Sequence, residues 1–132
     1  MRTRVVFVNH CARLSGGELA LVRLLTALGD AVDAHVVLAE PGPLVGRLER
    51  AGVETAVLPL RSEVLDTPRT DVTLLRPPVR QAAATAAYAL RLGRLVRRLR
   101  PDLIHANSLK SLVYGGVAGR LARVPVVWHV RD

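Results

Sequence analysis

The constraint that weighs most on this chain is its first apolar run. Val5-Val6-Phe7-Val8 is unbroken by a polar residue and rich in β-branched side chains. That suits a strand buried on both faces, as in a parallel sheet covered by helices, and not the alternation of a strand with one wet face. The pattern then recurs. Residues 34–39 form a second such run; residues 53–58 a third, carrying Glu54 and Thr55 as an edge strand would; residues 102–106 a fourth and 125–130 a fifth. Between them lie segments of helical period. Residues 18–28 set Leu21, Leu24, Leu25 and Leu28 on one face and stop at Gly29, while residues 43–51 stop at Gly52. A long helix opens after Pro77-Pro78, runs over residues 79–99 and ends at Pro101, and Asn107 or Ser108 caps a last helix reaching Ala122. Residues 61–76, polar and punctuated by Pro68, show neither period and read as a long loop.

Strand and helix in strict alternation predict an α/β fold: a Rossmann-like, doubly wound parallel sheet in the order 3-2-1-4-5 with helices on both faces. The order reverses between the first and fourth strands. Ligands of such sheets bind beyond the carboxyl ends of the strands at that reversal, so the crevice is expected to be lined by residues 9–17, 105–110 and 129–132. A chain of 132 residues, half of them hydrophobic, is long enough for one domain with its own core, and the scarcity of aromatics makes that core aliphatic. The single cysteine, Cys11, has no internal partner for a disulfide, and the start of the chain lacks a signal-peptide layout; a cytoplasmic protein is expected. No apolar stretch approaches the roughly 20 residues that span a bilayer. The net charge of +8 arises from eighteen arginines and one lysine, Lys110, against eleven acids. Without stacking aromatics beside them, these basic residues give no reason to expect nucleic-acid binding. The helix over residues 79–99 has an alanine and leucine face beside Arg91, Arg94, Arg97 and Arg98. That layout fits either peripheral contact with anionic lipid at the inner membrane face or a solvated charged face.

Several polar groups collect at the expected crevice. Ser15-Gly16-Gly17-Glu18 enters a helix whose N-terminal amides and partial positive charge suit a phosphate, although the same residues would also make a plain strand-to-helix turn. The dinucleotide fingerprint Gly-x-Gly-x-x-Gly is not met, even though Glu40 lies near the place of a ribose-binding acid. His129, at the end of a strand, either donates to a phosphate or sugar hydroxyl or is held by a backbone carbonyl. His105 is expected to pack into the sheet, and His10 is open to either reading. The histidines and Cys11 lack metal-ligand spacing, so no metal is expected, and Ser15 has no nucleophile-elbow context. Gly115, Gly116 and Gly119 fall close to one helical face and read as close packing of helix on sheet.

Three segments together, Ser15-Gly16-Gly17-Glu18-Leu19, the run from Pro101 to Ser108 ending His-Ala-Asn-Ser, and Val-Trp-His-Val-Arg-Asp at 127–132, resemble the N-terminal domain of family-4 glycosyltransferases. These are retaining enzymes of the two-domain GT-B fold, and the resemblance covers nearly the whole chain. It implies that Gly16 and Gly17 match the loop approaching the donor diphosphate and the acceptor, with Ser15 where the family commonly has glycine. By the same resemblance His129 matches a histidine near the transferred sugar and is the candidate catalytic residue. Ser15, Gly16, Gly17, Asn107, Ser108, Lys110 and Arg131 are then the candidates for binding substrate or phosphate. The family holds its nucleotide-sugar co-substrate mainly in a C-terminal domain with a Glu-x7-Glu motif, which does not occur in this chain. The resemblance therefore implies an acceptor-side domain, spanning residues 1–132 and lacking its C-terminal end and the donor-binding partner domain, that is inactive alone. Transfer would go to a lipid-linked, glycan or small-molecule acceptor. A stand-alone flavodoxin-like module for a small anion and a basic membrane-surface adaptor are the alternatives.

Overall fold

A computed structural model describes residues 2–60 and 79–129. Five strands, β1 (Thr3–Asn9), β2 (Val32–Leu38), β3 (Glu54–Val57), β4 (Leu103–Ala106) and β5 (Val126–Trp128), pair in parallel in the order β3-β2-β1-β4-β5. This is the Rossmann-like order expected from the sequence. Helices α1 (Gly16–Leu28), α2 (Pro43–Arg50), α3 (Val79–Leu99) and α4 (Leu109–Ala122) make the crossovers.

Alternation along β1 divides the core in two. Val5 and Phe7, beside Val36 and Leu38 of β2, meet Leu21 and Leu25 of α1 and Leu44 and Leu48 of α2. Val6 and Val8, beside Ile104 and Ala106 of β4, meet Leu92 and Val96 of α3 and Tyr114 and Ala118 of α4. Both faces of the central strands are thus dry, which is why their sequence is apolar without interruption.

The helix ends follow local chemistry. Gly29, at φ 49°, closes α1 by donating to the Leu25 carbonyl. Arg100, at φ 51°, ends α3 in the left-handed region, and Pro101 after it cannot continue the helix. Opposite the crevice, the Arg4 guanidinium joins Asp33 of β2 at 2.7 Å and the Leu99 carbonyl at the end of α3 at 2.5 Å. That network pins the amino edge of the sheet and leaves the carboxyl edge for other work.

Two expectations change. The helix expected from residue 18 starts at Gly16, so both glycines of the turn lie in its first turn instead of a preceding loop. The fifth strand is shorter than residues 125–130, and Val127 and Trp128 are half-exposed, β5 lying at the edge of the sheet among the described residues. The expected long loop at 61–76 lies outside the described residues, as does Arg131.

The glycines of α4 are not equivalent. A Cβ on Gly119 would collide with Val126 Cγ2 and lie 2.8 Å from the Val124 carbonyl oxygen, and one on Gly115 would lie 3.1 Å from Val8 Cγ2, whereas one on Gly116 would meet nothing within 4 Å. Only the first two therefore serve close packing on the sheet. Gly119→Ala is expected to destabilise by about 1–3 kcal/mol through overpacking. Gly116→Ala, in open space within the same helix, should instead gain roughly 0.5–1 kcal/mol. Chemical denaturation of both variants reads the difference, and equal effects of the same sign would contradict this packing.

Candidate functional site

The carboxyl ends of β1 and β4 lie side by side, and the residues that follow them are tied together. Asn107, buried after β4, donates from its backbone N–H to the Val8 carbonyl at 3.0 Å. Its side-chain amide reaches Asn9 Oδ1 at 3.3 Å and the Gly17 carbonyl at 3.4 Å. Asn9, also buried, donates to the Cys11 carbonyl at 2.8 Å. One asparagine from each strand thus bridges β1, β4 and the start of α1, so the glycine turn is held by its backbone. This is a side-chain network of buried amides whose groups are paired, as burial requires.

Two helices begin at this edge, and their starts differ. At α4 the Ser108 hydroxyl accepts from the Ser111 backbone N–H at 3.2 Å while Ser111 Oγ accepts from the Ser108 N–H at 3.0 Å, a reciprocal cap. Ser108 Oγ also lies 2.7 Å from His10 Nδ1, which locks the loop after β1 onto the loop after β4. At α1 the Ser15 hydroxyl turns away from the first-turn amides and donates to Glu18 Oε1 at 2.6 Å. The Ser15 side chain makes no capping hydrogen bond to α1. Of these two helix starts, α1 is therefore the one that its own N-cap side chain does not cover, and its dipole points at the crevice.

Glu18 is the residue that sequence reasoning undervalued. It is buried and accepts from both Ser15 Oγ and Cys11 Sγ, the latter at 2.7 Å, so that one carboxylate knits the loop to the helix. Its position three residues after the N-cap was a visible signal; its pairing with Cys11, seven residues earlier, had none. Burial first, and then the hydrogen bond to Glu18, push the Cys11 thiol up to about 11, which keeps it protonated and unreactive at neutral pH. Glu40 accepts from the Ala12 N–H at 3.1 Å and so braces the same loop from the end of β2. A cleft of about 310 Å³ opens beside it, lined among others by His10, Arg13, Glu40 and Gly42. Burial, and next the charge of Lys110, lower the pKa of His10, so its ring is neutral at pH 7.

The far side of the crevice comes from β5. His129 follows Trp128, donates its backbone N–H to the Ala106 carbonyl at 3.0 Å, and is exposed. Its ring meets that of His105 at 5.6 Å, and His105 in turn lies 4.9 Å from Phe7, packed into the sheet as expected. Ser15, Gly16, Gly17, Asn107 and Ser108 are thus brought together. Lys110 stands in the first turn of α4. His129 lies one strand away and joins them through β4. Among the described residues no three His, Cys, Asp or Glu side chains are grouped as metal ligands.

The model of glycosyltransferase family 4 matches residues 14–131. This chain belongs to that family. The match takes in the α1 turn, Asn107, Ser108 and His129, while Asn9 to Arg13 at the end of β1 precede it. The sequence has no match among curated proteins. Among solved structures, HepE of Anabaena, determined with UDP and glucose, superposes at a TM-score of 0.71 with 24% identity, covering 99% of this chain and 30% of that one. A glycosyltransferase from Rickettsia africae superposes at 0.62 with 14% identity, over 96% of this chain and 29% of its own. A UDP-N-acetylglucosamine 2-epimerase also superposes at 0.62, with 16% identity over 97% and 33%. At these identities the likeness establishes the fold, and the chain spans about a third of the length of each structure.

Proposed function

We propose that this family-4 chain is the acceptor-side domain of a retaining glycosyltransferase that moves a sugar from a nucleotide-sugar donor to a lipid-linked, glycan or small-molecule acceptor. The observation that carries the reading is the start of α1, where the Ser15 side chain makes no capping hydrogen bond, beside the asparagine bridge in a crevice whose far side bears His129. A helix start of this kind stabilises the negative charge that develops on a departing nucleotide diphosphate, and it does so without reorganising. Gly16 and Gly17 let the backbone approach that group, and His129 donates to the sugar or phosphate as the glycosidic bond to the donor breaks. Asn107, Ser108 and Lys110 act mainly by shaping this wall: the amide and hydroxyl are already engaged by Asn9, Gly17, His10 and Ser111. HepE was determined with UDP-glucose, which supports a nucleotide-sugar donor here. The same fold also carries an epimerase, so the family match, and not the fold, favours transfer.

The chain holds one wall of the site. The rest, including the groups that bind the nucleotide, belongs to a second GT-B domain on this reading, and residues 1–132 alone should show no transfer. Incubation of the purified chain with a panel of nucleotide-sugars and acceptors, followed by assay of released nucleotide, tests this. Turnover by the chain alone would overturn the domain assignment. Binding of a small anion with micromolar affinity by the chain alone would favour the stand-alone module instead.

A further inference from the structure

The helix layer formed by α3 and α4 has an unusual composition. Neither Val79–Leu99 nor Leu109–Ala122 contains an aspartate or glutamate, while together they carry Arg80, Arg91, Arg94, Arg97, Arg98, Lys110 and Arg120. The apolar face of α3 is buried on the sheet through Tyr88, Ala89, Leu92 and Val96. It is therefore not the lipid-facing surface suggested by its sequence. Two of its arginines are also engaged: Arg91 donates to the Pro59 carbonyl at 3.3 Å and Arg97 to the Leu121 carbonyl at 2.7 Å.

α4 is different. Its inner face is lined by small residues, Gly115, Ala118 and Gly119, and its outer face carries Leu109, Val113, Val117 and Leu121 at four-residue intervals, 45%, 55%, 48% and 41% exposed. A contiguous apolar row on the outer face of a helix marks a surface that meets a non-aqueous neighbour. Leu90 of α3, also half-exposed, extends this row across the shallow groove between the helices, which Arg94 and Arg97 border. Arg120 stands exposed within the row itself.

We infer that this outer face of α3 and α4 rests on an anionic lipid bilayer, with the row from Leu109 to Leu121 set into the headgroup boundary and Arg94 and Arg120 on lipid phosphates. Apolar area and basic charge on one surface are the two signals that peripheral attachment combines. A second copy of the chain fits this face badly. Apposed in a two-fold contact, it would set arginines against arginines with no acid on either helix to oppose them. The row also begins at Leu109, one residue after the Ser108 cap, so a bilayer along α4 passes beside the mouth of the crevice.

Flotation or co-sedimentation with vesicles tests the inference. The 132-residue chain should bind phosphatidylcholine vesicles containing about one third phosphatidylglycerol, bind pure phosphatidylcholine far less, and detach as salt is raised. Val113→Gln with Val117→Gln removes the apolar contribution, and Arg94→Gln with Arg120→Gln removes the charge; each pair should weaken binding roughly tenfold or more. All four positions are exposed, and a thermal melt by circular dichroism confirms that each variant is folded. Failure to bind anionic vesicles at low salt overturns the inference. So does binding undiminished by the valine pair, which would place the contact elsewhere on a basic protein. A dimer in light scattering that the valine pair dissociates, without vesicle binding, would assign the row to self-association.

Discussion

Replacing His129 by alanine is expected to lower turnover roughly a hundredfold in a protein that joins this domain to its donor-binding half, the scale for loss of one positioned donor. The side chain is exposed at the end of β5 and, among the described residues, packs against the His105 ring, so its removal opens no cavity in either core cluster. Thermal stability should therefore stay close to that of the parent, and the loss should fall on kcat more than on KM if the hydrogen bond is made mainly during transfer. His129→Gln, which retains a donor, should recover part of the rate. Unchanged turnover in the alanine variant would reduce His129 to a packing residue against His105.

Gly16→Val should cost at least as much. Gly16 is the first residue of α1, its φ lies outside the left-handed region, and a Cβ built on it meets no atom within 4 Å. Neither backbone conformation nor internal packing requires glycine there. What the added side chain would occupy is the approach to the start of α1, where the Ser15 side chain makes no capping hydrogen bond. Displacing a diphosphate by about 1 Å at such a point can cost on the order of a hundredfold in rate. Activity and thermal midpoint measured on the same preparation separate the outcomes. A parallel loss of both would show that Gly16 serves the turn and not the ligand.

These two expectations rest on features that are legible in the sequence to different degrees. The position of His129 follows from its neighbours alone, because a histidine closing an apolar run must sit at a strand's carboxyl end if the sheet is parallel. Gly16 belongs by the same reasoning to a strand-to-helix turn, but nothing in the local pattern says whether that turn is sealed. Serine stands immediately before both α1 and α4, and by propensity alone Ser15 and Ser108 are equal caps. They differ because Ser111 lies three residues after Ser108 and completes a reciprocal box, whereas Glu18 in the same position after Ser15 draws the hydroxyl to its own carboxylate. The asparagine bridge is similarly hidden. Asn9 and Asn107 are separated by 98 residues, and only the pairing of β1 with β4 brings them within 3.3 Å.

The outer row of α4 shows the limit from the other side. Leu109, Val113, Val117 and Leu121 recur at helical spacing, which by itself marks a core-facing stripe, while the glycines of the same helix read as close packing on the sheet. The structure follows the glycines: sheet contact is made through Gly115 and Gly119, because β1, β4 and β5 approach too closely for larger residues, and the aliphatic row is turned outward.

The sequence by itself determined the fold class and the strand order, because unbroken β-branched runs alternating with helical periods admit few right-handed, doubly covered sheets. It also determined which loops meet at the crevice. Only the tertiary structure decided which serine caps its helix, which arginines are already bonded, and which glycines of α4 touch the sheet. Those outcomes depend on contacts between residues far apart in the chain and on the spacing between packed elements, and neither quantity is encoded in the periodicity of a single segment.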